Sequence, residues 1–244
     1  MITLVEHESR FGLISILRTK RTGSVIYRQA GHFQSEADGQ GISLASYIHA
    51  IFGLIAQTCS RHVLMIGCGG GTLATMLVKA RQEVTIVDAD PAAFELGRRY
   101  FRLPTTVRCK TDDGYAFLTA DANVYDAIVL DAFEGNRIPA HLQSPAFFRQ
   151  VRRRLNPSGC VLANVHVTHD LDHAPDRLAT GMANVFPQVR VLDTQGIVNR
   201  NAIVIGAAKV DFDAPSLLMP PNISAREIGD ELAAMRFRAW RQCA

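Results

Sequence analysis

Three glycines at alternate positions, Gly67, Gly69 and Gly71, stand where the apolar run "VLMIG" gives way to a segment of helical periodicity. Glycine lets the backbone adopt conformations closed to other residues and approach a ligand closely. The helix start that follows offers N–H groups without intrahelical partners, so the arrangement suits a nucleotide-type ligand. Asp88 ends the next apolar run, "TIVD", roughly 20 residues on, where a carboxylate can accept from both hydroxyls of a ribose. Asp113 and Gly114 follow the third run; Asp113 can accept from an adenine amino group and Gly114 leaves room for its ring, although an aspartate there also suits a helix cap. Asp131 and Glu134 follow the fourth run, in "AIVLDAFEGNRIPAHL". An acid at this place can take a proton from an amine and free its lone pair for attack on a carbon beside a sulfonium, and its charge draws in a cationic substrate beforehand. Asp90, just before Pro91, reads instead as a helix N-cap.

The elements that must position these residues can be read from periodicity. From Arg61 onward, apolar runs alternate with amphipathic segments: strand "HVLMIG", helix 72–80, strand "EVTIVD", helix "PAAFELGRRYF", strand "TVRCK", a short helix from Gly114, strand "YDAIVLD", helix 144–155 and strand "GCVLANVH". Such alternation predicts an α/β fold with a parallel sheet and right-handed crossovers, whose ligands bind at the carboxyl edge of the strands. "QVRVLDT" and "RNAIVIGAAK" predict a final antiparallel hairpin, and a helix over Ser224–Gln242 closes the chain, with Ser224 and Glu227 spaced as a capping box. Residues 10–35 alternate as strands do around a Thr22-Gly23 turn. The chain therefore divides into an N-terminal β-hairpin domain, 1–41, and a cofactor-binding domain, 42–244, entered through the amphipathic helix "ISLASYIHAIFGLIAQ".

Composition excludes several function classes. The 244 residues carry a net charge of +3, too small to argue for nucleic acid; the arginines of "RQVRRR" spread around a helix as a solvated face. Apolar stretches such as Tyr47–Ala56 fall short of the ~20 residues of a membrane span, and the first residues lack the order of a signal peptide. A cytoplasmic protein without membrane contact is expected. The five cysteines show no C-x-x-C pair, which predicts neither disulfides nor a zinc site. The histidines of "HVTHDLDH" (His166, His169, His173), with Asp170 and Asp172 among them, span a strand end and a loop rather than one helix face, so no metal is assigned. His141 is a further candidate substrate contact.

The glycine spacing, G-x-G-x-G with Thr72 following, is typical of methyltransferase-like proteins rather than of NAD sites, and implies a Rossmann-like, class I methyltransferase-type fold with a mostly parallel seven-stranded sheet. More widely, the chain resembles the polyamine aminopropyltransferase (spermidine synthase-like) family. "SRFGLISILRTKRTGSVIYRQAGHFQS" looks like its N-terminal β domain, "VLMIGCGGGTL" its glycine loop, "DDGYAFL" its adenine site, and "VLDAFEGNRIPAHLQSPAFFRQVRRRLNPSG" its catalytic strand, loop and helix. The resemblance implies a homodimer that binds decarboxylated S-adenosylmethionine and a small amine. Gly67, Gly69, Gly71, Asp88, Asp113 and Gly114 would hold the cofactor, Asp131 and Glu134 would be catalytic, and Tyr47, His49 and Gln34 would contact the acceptor. The sequence departs from the family in three places: Gly12 stands where a glutamine is expected, His49 replaces an acid, and D-A-F-E replaces D-S-S-D at the catalytic loop. An S-adenosylmethionine-dependent methyltransferase of the same fold is the alternative reading, and a non-enzymatic binding module the third.

Overall fold

Strand alternation at the N-terminus produces a small antiparallel sheet in the computed structural model, which describes residues 1–208 and 211–242. Its strands β1 (Ile2–His7), β2 (Ile14–Arg18), β3 (Val25–Gln29) and β4 (His32–Ala37) pair in chain order. Ile14 and Ile16 of β2 face inward and are fully buried. Ala30 and Gly31 join β3 to β4 with positive φ angles of 48° and 80°, the two-residue turn whose twist matches that of the strands. Strand β1 precedes the segment whose alternation marks it as β. Only Leu4 and Val5 of it are even partly buried, so its sequence carries little periodic signal.

This sheet shares a core with the rest of the protein. Ile14, Ile16, Val25 and Tyr27 pack against Ala92, Leu96 and Phe101, the first two of these on helix α3 (Pro91–Tyr100). Helix α1 (Ser46–Ala56) then buries a nearly continuous apolar surface on the larger sheet.

The larger sheet has parallel strands β5 (His62–Ile66), β6 (Glu83–Asp88), β7 (Arg108–Thr111), β8 (Tyr125–Leu130) and β9 (Leu155–Val167). The connecting helices are α2 (Thr72–Lys79), α3, α4 (Gly114–Ala120) and α5 (Pro145–Arg153). After α6 (Ala174–Ala183), strands β10 (Gln188–Asp193) and β11 (Arg200–Ala207) form the expected hairpin, with β11 inserted antiparallel beside β9. These are the seven predicted strands in a Rossmann-like arrangement. An eighth, β12 (Arg236–Arg238), adds to the edge, giving the order β12-β10-β11-β9-β8-β5-β6-β7. From β5 the chain winds outward to β6 and β7, then returns to lay β8 on the other side. The crevice between the carboxyl ends of β5 and β8 is thus the topological switch point, where ligands of open α/β sheets bind.

The closing helix differs from the expectation of 224–242. Helix α7 covers only Ala225–Ala234, and Ser224, at φ 54°, lies in the left-handed region instead of the extended one a capping side chain requires, so the capping box does not form. The chain leaves the helix because Arg238 and Trp240 have better partners on the sheet: the Trp240 indole donates to the Val189 carbonyl at 3.3 Å. Arg238 spans Asp193 (Nε, 3.0 Å) and Asp176 (Nη1, 2.9 Å), while Arg200 donates to the other oxygen of Asp193 at 2.7 Å. Burial alone would raise the Asp193 and Asp176 carboxyls; the guanidinium hydrogen bonds outweigh it and hold both below the usual carboxylate range.

A folded-state pKa below the unfolded value contributes stability that is present above about pH 4 and lost as pH falls through the folded value. Arg238→Met leaves two buried carboxylates short of a partner and is expected to cost about 3–5 kcal/mol at pH 7 in urea unfolding. The gap between variant and parent should narrow progressively on acidification below about pH 4.

Candidate active site

The glycine loop is shaped by what packs against it. Gly67 has φ +98°, and a Cβ there would lie 2.1 Å from the carbonyl oxygen of Asp131. Only a residue without a side chain lets the end of β5 run this close to the end of β8, where the Asp131 N–H donates to the Ile66 carbonyl at 2.9 Å. Gly71, at φ +71°, begins α2 and packs on Leu103. At the loop's crest, Ser35 of β4 accepts the Gly70 N–H at 3.0 Å, so the small sheet holds the loop from above.

Asp88 lies beneath the loop. One carboxylate oxygen accepts the Cys68 N–H and the other the Asp90 N–H, both at 2.8 Å. Burial pushes its pKa up and these two N–H groups oppose that shift. A carboxylate has about four acceptor sites, so it can brace the loop and still accept from ribose hydroxyls. Asp90 caps α3 as its sequence suggests, accepting the Ala92 N–H.

Asp113 caps α4 through Oδ1, which accepts from Tyr115 and Ala116 at 3.0 Å. Its Oδ2 meets His141 Nε2 at 2.7 Å. Burial raises this carboxyl, but the backbone donors and His141 bring it below the usual range. An adenine amino group here would share Oδ2 with His141. Gly114 has a packing reason as well: a Cβ would stand 2.4 Å from Ile66 Cγ2.

Asp131 lies at the floor of a cavity of about 750 Å³ that opens beside Cys68, Gly69 and Thr72. Asn164 of β9 donates to Oδ1 at 2.8 Å, and the Tyr47 hydroxyl reaches Oδ2 at 3.4 Å. Asn201 of β11 donates in turn to the Asn164 side-chain oxygen at 2.9 Å, which fixes the Asn164 amide with its NH₂ toward Asp131. Burial raises the Asp131 pKa, with Asn164 and Tyr47 lowering it in part. Tyr47 is pushed up by burial and by the Asp131 charge, so its hydroxyl keeps the proton that it donates to Asp131. Among the described residues no side-chain cation pairs with Asp131. The cavity's guanidinium, Arg200, is engaged by Asp193 and Asp170.

Of the residues singled out for an acceptor, Gln34 and Tyr47 line this cavity. His49 does not. It is fully buried in α1, with Nε2 against the Ser43 carbonyl at 2.8 Å and a pKa lowered by burial, because that face of the helix packs into the core. Glu134 is also outside the cavity: it pairs with Arg137 across a tight turn at Gly135 (φ +63°), leaving its side chain exposed. Asn164 and Asn201 were missed by sequence reasoning, although a single amide inside the apolar run "VLANV" was a usable signal for the first. Asp170 and Asp172 are engaged by Arg200 and by Thr168 and Ala174, and no group of three metal-ligating side chains is found among the described residues. Cys243 lies outside the described residues; the other four cysteines are free. No helix among the described residues is long and apolar enough to cross a membrane.

The spermine/spermidine synthase domain matches residues 46–194, more than half of the chain, a range that includes Asp88, Asp113, Asp131 and Asn164. The chain belongs to this family. A probable polyamine aminopropyl transferase of Bifidobacterium longum is 32% identical to this chain over 142 residues, 56% of the chain and 32% of the relative. A polyamine aminopropyltransferase of Vibrio vulnificus is 33% identical over 129 residues, 50% of the chain and 43% of the relative. The matches thus span less than half the length of these relatives. Among solved structures, a probable spermidine synthase from Corynebacterium glutamicum superimposes with a TM-score of 0.79 at 22% identity, covering 98% of this chain and 96% of that one. It shares the fold, small sheet included.

The contact at Gly67 can be tested directly. Gly67→Ala must place a Cβ against the Asp131 backbone at a positive φ, and is expected to lower stability by about 2 kcal/mol or more in chemical unfolding.

Proposed function

We propose that this chain transfers an aminopropyl group from decarboxylated S-adenosylmethionine to an amine. The observation that carries the reading is the Asp131 carboxylate: recessed, braced by two neutral donors, and without a cation partner among the described residues. Such a charge attracts an ammonium, and its raised pKa makes it a better proton acceptor than an ordinary aspartate. The co-substrate supplies an electrophilic carbon beside a sulfonium. In the transfer, Asp131 takes a proton from the acceptor's ammonium, the freed lone pair forms the new C–N bond, and the C–S pair leaves with sulfur as neutral methylthioadenosine. Asn164 and Tyr47 hold the carboxylate in place, while Asp88 and the glycine loop are assigned to the adenosyl moiety. Asp113 is assigned to the adenine edge, in exchange with His141.

The decarboxylated form is favoured over intact S-adenosylmethionine because the guanidinium on the cavity lining, Arg200, is already paired with two aspartates, which leaves no free guanidinium there among the described residues for a methionine carboxylate. Calorimetric titration with decarboxylated S-adenosylmethionine, the intact form and methylthioadenosine tests this: preference for the intact form would make the protein a methyltransferase instead.

Asp131→Asn should leave methylthioadenosine binding near the parent value and slow turnover by roughly 10²–10⁴-fold. With Asp131 as the base, the parent's rate should rise with pH through a value above the usual carboxylate range, and this limb should vanish in the variant. Asp88→Ala should weaken methylthioadenosine binding by about 2–4 kcal/mol, read by the same titration.

A further inference from the structure

A second cavity, of about 580 Å³, adjoins the first, and the two share Phe133, Asn136 and His166 as a common wall. Its floor is apolar, formed by Ile138, Val165 and Leu178. Its rim is cationic: Arg137 comes from the loop after β8 and Arg177 from α6, with His169 and His173 beside them. One carboxylate, Asp172, lines it, and its oxygens already accept the Thr168 N–H and hydroxyl and the Ala174 N–H. The Arg177 charge helps to hold that carboxyl down, yet neither arginine forms an ion pair among the described residues.

Glu134 and Arg137 bridge each other across the turn after Asp131 and both are exposed; of the two, only Arg137 borders the second cavity. The first cavity has a second carboxylate, Glu231 of α7, on its lining; on the side of the second cavity the loop contributes Arg137 instead of Glu134. Two guanidiniums that form no ion pair among the described residues, over an apolar floor, match an anion joined to a short hydrocarbon.

Resting on the aminopropyl-transfer reading, we propose that the acceptor is an amine with an anionic far end, a carboxylate or a phosphate. Its nitrogen sits at Asp131, its methylenes pass the wall of Phe133 and Asn136, and its anion is held between Arg137 and Arg177. A linear diamine puts a second positive charge where the protein already has two.

The test compares 5-aminopentanoate and 4-aminobutyl phosphate with 1,5-diaminopentane, as acceptors with decarboxylated S-adenosylmethionine and as ligands titrated calorimetrically onto the protein saturated with methylthioadenosine. At least one anionic amine should exceed the diamine tenfold in kcat/KM, and the more effective of the two identifies the anion. Arg137→Gln combined with Arg177→Gln should lower that preference at least tenfold. A diamine preference, or a ratio indifferent to the two substitutions, overturns the anionic subsite while leaving aminopropyl transfer intact. If no amine is alkylated, the transfer reading fails and the titration decides the subsite alone: binding of an anionic amine that requires both arginines upholds it, and equal or absent binding in parent and variant overturns it.

Discussion

The site depends on one backbone approach, the end of β5 against the end of β8 at Gly67 and Asp131. Because Gly67 has no side chain, the Asp131 carbonyl can lie where a Cβ would be. The same approach lets the glycine loop begin beside the strand that carries the candidate base. A group held by the loop and a group held by Asp131 therefore face each other across one strand spacing, about 5 Å. Proximity of this kind is created by strand order before any side chain contributes.

Around that approach the protein arranges opposing electrostatic effects. Asp131 and Asp88 are both raised by burial, and each is opposed by donors that carry no net charge: side-chain amide and hydroxyl in one case, backbone N–H in the other. Carboxylates meet guanidiniums elsewhere, where Arg200 pairs with Asp193 and Asp170 and Arg238 with Asp193 and Asp176. The result is a set of ion pairs at the β10–β11–β12 side and, at the end of β8, a carboxylate held by neutral donors and by no side-chain cation among the described residues.

Much of this was legible because the relevant signals are local. The alternation of apolar runs and helices gave seven strands in their right succession, and glycine spacing with an aspartate after the second strand marked the loop. What was not legible depends on turns and on long-range pairing. Glu134 sits three residues after Asp131, close enough to suggest a paired acid, but it begins a tight bridged turn on the surface and its side chain is exposed. His49 occupies the helix position of an expected acid and faces the core, since α1 is apolar over most of its circumference and offers few cues to which side is wet. Asn164 and Asn201 meet only because β11 inserts antiparallel beside β9, and the last helix stops early because Arg238 has two aspartates waiting on the sheet. Neither pairing can be derived from spacing along the chain.

The hydrogen bond from Gly70 to Ser35 crosses the edge of the matched segment. The segment recognisable as a spermidine synthase domain begins at residue 46, yet the roof of the cavity, with His32, Phe33, Gln34 and Ser35, is drawn from residues before it. The cavity therefore takes one wall from outside the matched segment, and a substitution in the small sheet can reshape that wall while leaving every residue of the segment unchanged.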